Sequence, residues 1–276
     1  MNSVDLSADI VSQAADRLLH ARTSGQTCTP VRDLLGDHDI ESAYRAQGQT
    51  IQALVRGGRR VVGAKIGLTA PAVQRQFGVH QPDFGMILDD TVLGHGETIA
   101  IDKLMQPRAE GEIAFVLGRD LDRPNVSVAD VLRATDFILP AIEIVDSRIS
   151  NWDLTITDTV ADNASSGCVV LGATPISIRE RDLAGVGMTL CHNGEPVSFG
   201  AGHACLGSPV VAVAWLARTL AELGQSLPAG SLVLSGALGP MVGLDAGRLT
   251  LNLDGIGSVE AIAPARPDAD ANPGTV

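Results

Sequence analysis

Arg108-Ala-Glu110-Gly-Glu112-Ile-Ala-Phe-Val-Leu117 is the stretch on which the fold turns. On a strand alternate residues share a face, so Glu110 and Glu112 project with Ala114 and Val116, while Ile113, Phe115 and Leu117 project oppositely. Both faces are apolar, which describes a buried strand carrying two acids at its start. Pro140-Ala-Ile-Glu143-Ile-Val145 repeats the arrangement with one acid. An unpaired carboxylate is costly to bury, and a divalent cation is the simplest common partner for three of them. The competing reading pairs these glutamates with arginines such as Arg108 and Arg148. All-oxygen donors with no adjacent Cys or His favour Mg²⁺ or Mn²⁺ over zinc. Such ions keep positions open, so chelation of a small oxyacid is the implied chemistry.

Working outward, apolar residues at helical spacing predict a helix from about Asp5 to Ala21 and a second from about Ile40 to Val55, N-capped by Asp39 and ended by Gly57-Gly58. Val61 to Leu68 reads as a strand. Further strands are expected at Gly85 to Leu88, Ile138 to Val145, Cys168 to Leu171, Met188 to Cys191, Leu232 to Leu234 and Leu249 to Leu253. Helices interrupt them near Val128 to Thr135 and Val210 to Leu223. His192-Asn193-Gly194-Glu195 is a hairpin turn. The expectation is a mixed α/β chain: a small, mainly helical N-terminal part over 1–70, a larger β-rich catalytic domain over 71–263, and a disordered tail over 264–276.

The bulk numbers exclude some functions. The 276 residues suffice for one large core or a small domain on a larger one. A formal charge of −12, with nothing basic clustered beyond Arg56 to Arg60, argues against nucleic acid as partner. The same charge repels anions at long range, so any anion specificity must come from local groups. Cys28, Cys168, Cys191 and Cys205 have neither metal-type nor disulfide-framework spacing. With no signal-peptide pattern and no apolar run expected to reach a membrane span, a soluble, cytoplasmic protein is expected.

Lys65 lies in the apolar strand Val61-Val-Gly-Ala-Lys65-Ile-Gly-Leu68, either snorkelling at an edge or held in a pocket. Desolvated beside a metal, its pKa would fall and it could move protons. Asp83, in the turn His80-Gln-Pro-Asp83-Phe-Gly85, reads alone as a turn cap, and His80 reads as structural. Asp162-Asn-Ala-Ser165-Ser166-Gly167 is a polar loop suited to hydroxyl and backbone contacts with a carboxylate.

Four segments together, VVGAKIGLTAPAVQRQFGVHQPDFGMILDD, RAEGEIAFVLGRDL, PAIEIVDSRISNWDLTITDTVADNASSGCVVLG and GAGHACLGSPVVAVAWLARTLAELG, resemble the 2-hydroxypenta-2,4-dienoate hydratases (2-oxopent-4-enoate hydratases) of aromatic meta-cleavage pathways, within the fumarylacetoacetate hydrolase superfamily. The resemblance covers roughly Val61 to Gly236. It implies a fumarylacetoacetate-hydrolase-like fold, a Mg²⁺ or Mn²⁺ site at Glu110, Glu112 and Glu143, Lys65 and Asp83 as acid and base, and Ser165 and Ser166 orienting the substrate carboxylate. It also implies a homo-oligomer and hydration to 4-hydroxy-2-oxopentanoate. Two alternatives stay open: a 4-oxalocrotonate decarboxylase, from which the segment around Asp83 discriminates, and a non-catalytic subunit complexed with such a paralogous decarboxylase. The residues after Ser235-Gly-Ala-Leu-Gly-Pro-Met depart from the family pattern, leaving substrate length between pentadienoate and hexadienoate open.

Overall fold

The structure, a computed structural model, describes residues 3–76, 78–179 and 181–266. The chain opens with three helices, α1 (Ser3–Ser24), α2 (Arg32–Leu35) and α3 (Ile40–Arg56), before β1 (Val61–Gly67). Then come α4 (Pro71–Gln76), β2 (Asp83–Leu88), β3 (Val92–Gly94), β4 (Arg108–Leu117), α5 (Val128–Ala134), β5 (Thr135–Val145), α6 (Ile156–Ala161) and β6 (Ser166–Leu171). The hairpin β7 (Gly187–His192) and β8 (Glu195–Ala201) precedes α7 (Pro209–Glu222), β9 (Leu232–Leu234), β10 (Val242–Gly243), β11 (Gly247–Leu253) and β12 (Gly257–Ala263).

One sheet runs β2-β1-β9-β4-β5-β6-β3, with β10 also pairing β4; a second runs β12-β11-β7-β8. β2 and β3 occupy opposite edges of the first sheet, yet only Asp89–Thr91 separate them. Three residues span roughly 10 Å at most, so the sheet must roll until its edges meet. The roll is sealed where Asn163, just before β6, bonds β2: its Oδ1 accepts from Met86 N and its Nδ2 donates to Met86 O. Rolling gives β4 two buried faces. Ile113, Phe115 and Leu117 join the main core with α7 and the second sheet, whereas Ala114 packs inside the roll with Ile87, Leu139, Val169 and Leu234. Gly111 lets the second sheet pack close, because a Cβ there would press on the side chains of Met188 and Leu251.

The helices α1, α2, α3 and α6 share a separate apolar cluster. It is tied to the roll by Gln47, whose Nε2 donates to Phe84 O and Val160 O, and by Tyr44 stacked on Phe84 at 4.5 Å. Asp39 caps α3 as expected, accepting from Ser42 N. β1 pairs with β2 and β9 and belongs to the large sheet; we therefore place the boundary of the helical part near residue 60 instead of the expected 70. Gly202–Glu222 is long and apolar enough by composition to cross a membrane, contrary to expectation, but half of it is buried and α7 packs as a core helix. The expected tail falls, from residue 267 onward, outside the described residues. Just before it Arg266 donates to Leu104 O and Met105 O.

Candidate active site

β9 stops at Leu234 while β4 continues to Arg108, so one mouth of the roll is lined by strand ends. Here the register sets Glu110 directly across from Glu143 on β5, with Glu112 one step deeper on the same face. One carboxylate oxygen from each of Glu110, Glu112 and Glu143 lies within 4.8 Å of the others. Glu112 and Glu143 are 0% and 1% exposed, and Glu112 Oε1 and Glu143 Oε2 have no hydrogen-bond partner among the described residues. Glu112 Oε2 accepts from Gly236 N–H at 2.8 Å, in the turn that follows β9. No ion pair joins Arg108 or Arg148 to these glutamates among the described residues, which removes the arginine-pairing alternative. Three converging carboxylates, two of them with orphaned oxygens, suit a divalent cation.

Lys65 is buried, not snorkelling: it is 3% exposed, 3.3 Å from Glu143 Oε1, and donates to Ala164 O at 3.1 Å. Asp83, 1% exposed, pairs across from Gly67; its Oδ2 accepts from Thr159 Oγ1, and its Oδ1 has no hydrogen-bond partner among the described residues. A side chain at Gly67 would overlap Asp83 Oδ1 and come within 3.5 Å of Lys65 Nζ. The lysine and the aspartate thus share one small space above this glycine.

The electrostatics follow from crowding acids in a dry place. Burial, then Glu143, pushes the Glu110 carboxyl up to about 7, and the same two causes hold Glu112 well above the carboxylate range. Burial also raises Asp83, against the opposing pull of Lys65. For Lys65 burial alone would lower the pKa, as the sequence suggested, but Glu143, Asp83, Glu110 and Glu112 outweigh it and the ammonium is stabilised.

Ser165 and Ser166 are buried beside this mouth, in a turn where Asn163, Ala164 and Ser165 take φ of 55°, 49° and 52°. Each left-handed residue with a Cβ costs roughly 1–2 kcal/mol, so something must hold the turn. Arg148 does, donating to Asp162 Oδ1 at 2.5 Å, to Asp162 O, to Asp146 O and to Ser166 O. Ser165 Oγ is 3.5 Å from Asp162 Oδ2, and the turn's Ala164 O is the Lys65 acceptor. His80 is exposed. Sequence reading missed Thr159, the Arg148–Asp162 pair and the Gly236 amide. Only the acidic residue in Asp162-Asn-Ala-Ser165 and the glycine after Ser235 gave a signal for them.

The fumarylacetoacetate (FAA) hydrolase C-terminal family matches residues 61–262. The chain is 53% identical over 252 residues to the TodF product hydratase of Pseudomonas putida, covering 91% of this chain and 94% of that protein. It is also 53% identical over 248 residues to a 2-keto-4-pentenoate hydratase of Paraburkholderia xenovorans, covering 90% and 92%. Among solved structures it is similar to a 4-oxalocrotonate decarboxylase from Pseudomonas putida complexed with magnesium and adipate, with a TM-score of 0.88, 32% identity and coverage of 95% and 98%.

Proposed function

The chain belongs to the fumarylacetoacetate hydrolase family, and from that premise we propose that it is a hydro-lyase that hydrates 2-hydroxypenta-2,4-dienoate, by way of its keto tautomer, to 4-hydroxy-2-oxopentanoate in aromatic meta-cleavage catabolism. The observation that carries the reading is the meeting of Glu110, Glu112 and Glu143 with Lys65 and Asp83 in one buried mouth. The greater identity to hydratases than to the decarboxylase favours hydration over loss of carbon dioxide.

Glu110, Glu112 and Glu143 would hold a divalent cation, Mg²⁺ or Mn²⁺, supplying positive charge where the reaction develops negative charge on the substrate's 2-oxygen. Lys65, held beside Glu143, would give a proton to C5 of the dienol and recover one from the 2-hydroxyl, leaving the α,β-unsaturated 2-oxo acid. Asp83, whose Oδ1 has no hydrogen-bond partner among the described residues, would take a proton from the water that adds at C4 and return it to C3 of the resulting enolate. Thr159 fixes the other Asp83 oxygen, and Gly67 leaves room for both groups. Ser165 and Ser166 help orient the substrate carboxylate, from a turn that Arg148 holds in place. A cytoplasmic, homo-oligomeric enzyme is part of this reading. Val197 and Phe199, 42% and 64% exposed on the edge strand β8, are apolar groups that self-association would cover.

NMR product analysis tests it. Mg²⁺-loaded protein should convert 2-hydroxypenta-2,4-dienoate to 4-hydroxy-2-oxopentanoate, and chelator-treated protein should not. Carbon dioxide release from 4-oxalocrotonate, with the dienoate inert, would make the protein a decarboxylase instead.

A further inference from the structure

Of the cations around the mouth, Lys65 is paired with Glu143 and Arg148 with Asp162. Arg108 has no carboxylate partner among the described residues, although it begins the strand that carries Glu110 and Glu112 and shares their face. Its guanidinium carbon instead lies 4.4 Å from the ring centroid of Trp152, and one guanidinium nitrogen reaches Met241 Sδ at 3.6 Å. Stacking on an indole fixes the plane of an arginine while leaving its N–H edge available.

The support under Arg108 is built at a cost. Asn151 and Trp152 both sit at positive φ, 60° and 55°. Gln106 secures them: its Oε1 accepts from Asn151 N, its Nε2 donates to Ser147 O and Ile149 O, and its carbonyl accepts from Trp152 Nε1. Ser150 adds bonds to Thr27 Oγ1 and Cys28 O. A strained, cross-linked platform that fixes one unpaired guanidinium suggests recognition of a planar, two-oxygen anion. In a chain of net charge −12, such an anion needs a local cation to enter at all.

We propose that Arg108 joins Ser165 and Ser166 in receiving the substrate carboxylate at this mouth, its guanidinium on Trp152 supplying the positive charge that meets the anionic end of an incoming 2-oxo acid. This rests on the hydratase reading and adds a substrate-binding group to it. The competing role is plain charge balance, in which Arg108 merely offsets the three glutamates. The carboxylate ligand separates the two: losing a cation that only offsets acids should tighten Mn²⁺ and leave a carboxylate ligand unaffected, whereas losing a carboxylate receiver weakens that ligand.

The test uses the full chain, with Mn²⁺ alone and then pyruvate as probes in calorimetric titrations of wild type, Arg108→Met and Arg108→Lys. Expected is pyruvate binding to the Mn²⁺-loaded Met variant weaker by about 10–100-fold, the range for a lost charge-assisted pair, partly recovered by lysine, with Mn²⁺ affinity held or increased. In turnover of the dienoate, KM should rise by a larger factor than kcat falls. Unchanged pyruvate binding in Arg108→Met, a parallel loss of Mn²⁺ affinity in both variants, or no pyruvate binding by wild type would each overturn the proposal. Because the pyruvate titration needs no turnover, a wild type inert toward the dienoate counts against the hydratase reading alone.

Discussion

Glu110→Gln should make the metal-free protein more stable, and the direction depends on pH in a way that can be worked out. The folded-state pKa of Glu110 is raised from 4.5 to about 7. A carboxyl raised on folding binds its proton more tightly in the native state. Its stabilisation is therefore complete below pH 4.5 and is lost as pH climbs through 7. At roughly 1.4 kcal/mol per pKa unit, the full shift corresponds to about 3 kcal/mol. Solvent reaching the partly exposed carboxylate reduces that to about 2–3 kcal/mol. Glutamine cannot ionise, so chelator-treated Glu110→Gln should match wild type near pH 4.5 and exceed it by that amount at pH 8. Mg²⁺ at about 1,000 times its Kd should reverse the order, since it then adds about 4.1 kcal/mol to whichever protein still binds it. Urea titrations at both pH values, with chelator and with Mg²⁺, give the four comparisons. A metal-free variant no more stable than wild type at pH 8 would refute the claim that burial, together with Glu143, raises the Glu110 pKa when no cation is bound.

Three other substitutions probe the surroundings. Arg148→Met strands the buried Asp162 and releases the left-handed turn, so urea denaturation should show a loss of about 3–5 kcal/mol. Gly236 has φ +101° and would drive a Cβ into Thr69, so Gly236→Ala should shift the amide that bonds Glu112 and weaken Mg²⁺ by roughly 10–100-fold in calorimetry. Lys65→Ala should cut turnover by about 10²–10⁴-fold while leaving Mg²⁺ binding intact or tighter, because it removes a cation 3.3 Å from Glu143. Full turnover by that variant would remove Lys65 from the mechanism.

Much of this was legible in the residues because local chemistry decided it. Apolar spacing located α3, β1, β4 and α7 to within a few residues, and Asn193-Gly194 marked the β7–β8 turn through its left-handed φ values of 51° and 87°. Alternation along β4 put Glu110 and Glu112 on one face, as observed. The sequence could not supply register. Nothing in the chain says that Glu110 faces Glu143, that a three-residue step makes the first sheet roll, or that β9 ends early enough to open the mouth. Lys65 shows the same limit. Its apolar neighbours argued for a pKa lowered by desolvation beside a metal, and only the fold brings up the four acids that raise it when no cation is bound. Arg148 was weighed as a partner for the glutamates, and its actual partner, Asp162, lies 14 residues away across the turn.

Charge counting explains why these groups tolerate one another. Glu110, Glu112, Glu143 and Asp83, all ionised, would leave Lys65 facing an excess of three negative charges in a buried mouth, and burial responds by raising the acids' pKa values. Protonation relieves that excess only by giving up the carboxylates as ligands. A divalent cation relieves it while keeping them ionised, which reduces the excess to one. Arg108, stacked on Trp152 with no carboxylate partner among the described residues, would be left to meet an incoming anion. An anionic 2-oxo acid would therefore meet a repelling site before the cation is in place and a nearly neutral one afterwards. If the glutamates hold a cation as proposed, the same acids would favour an order of binding, metal first and substrate second, with no moving part required.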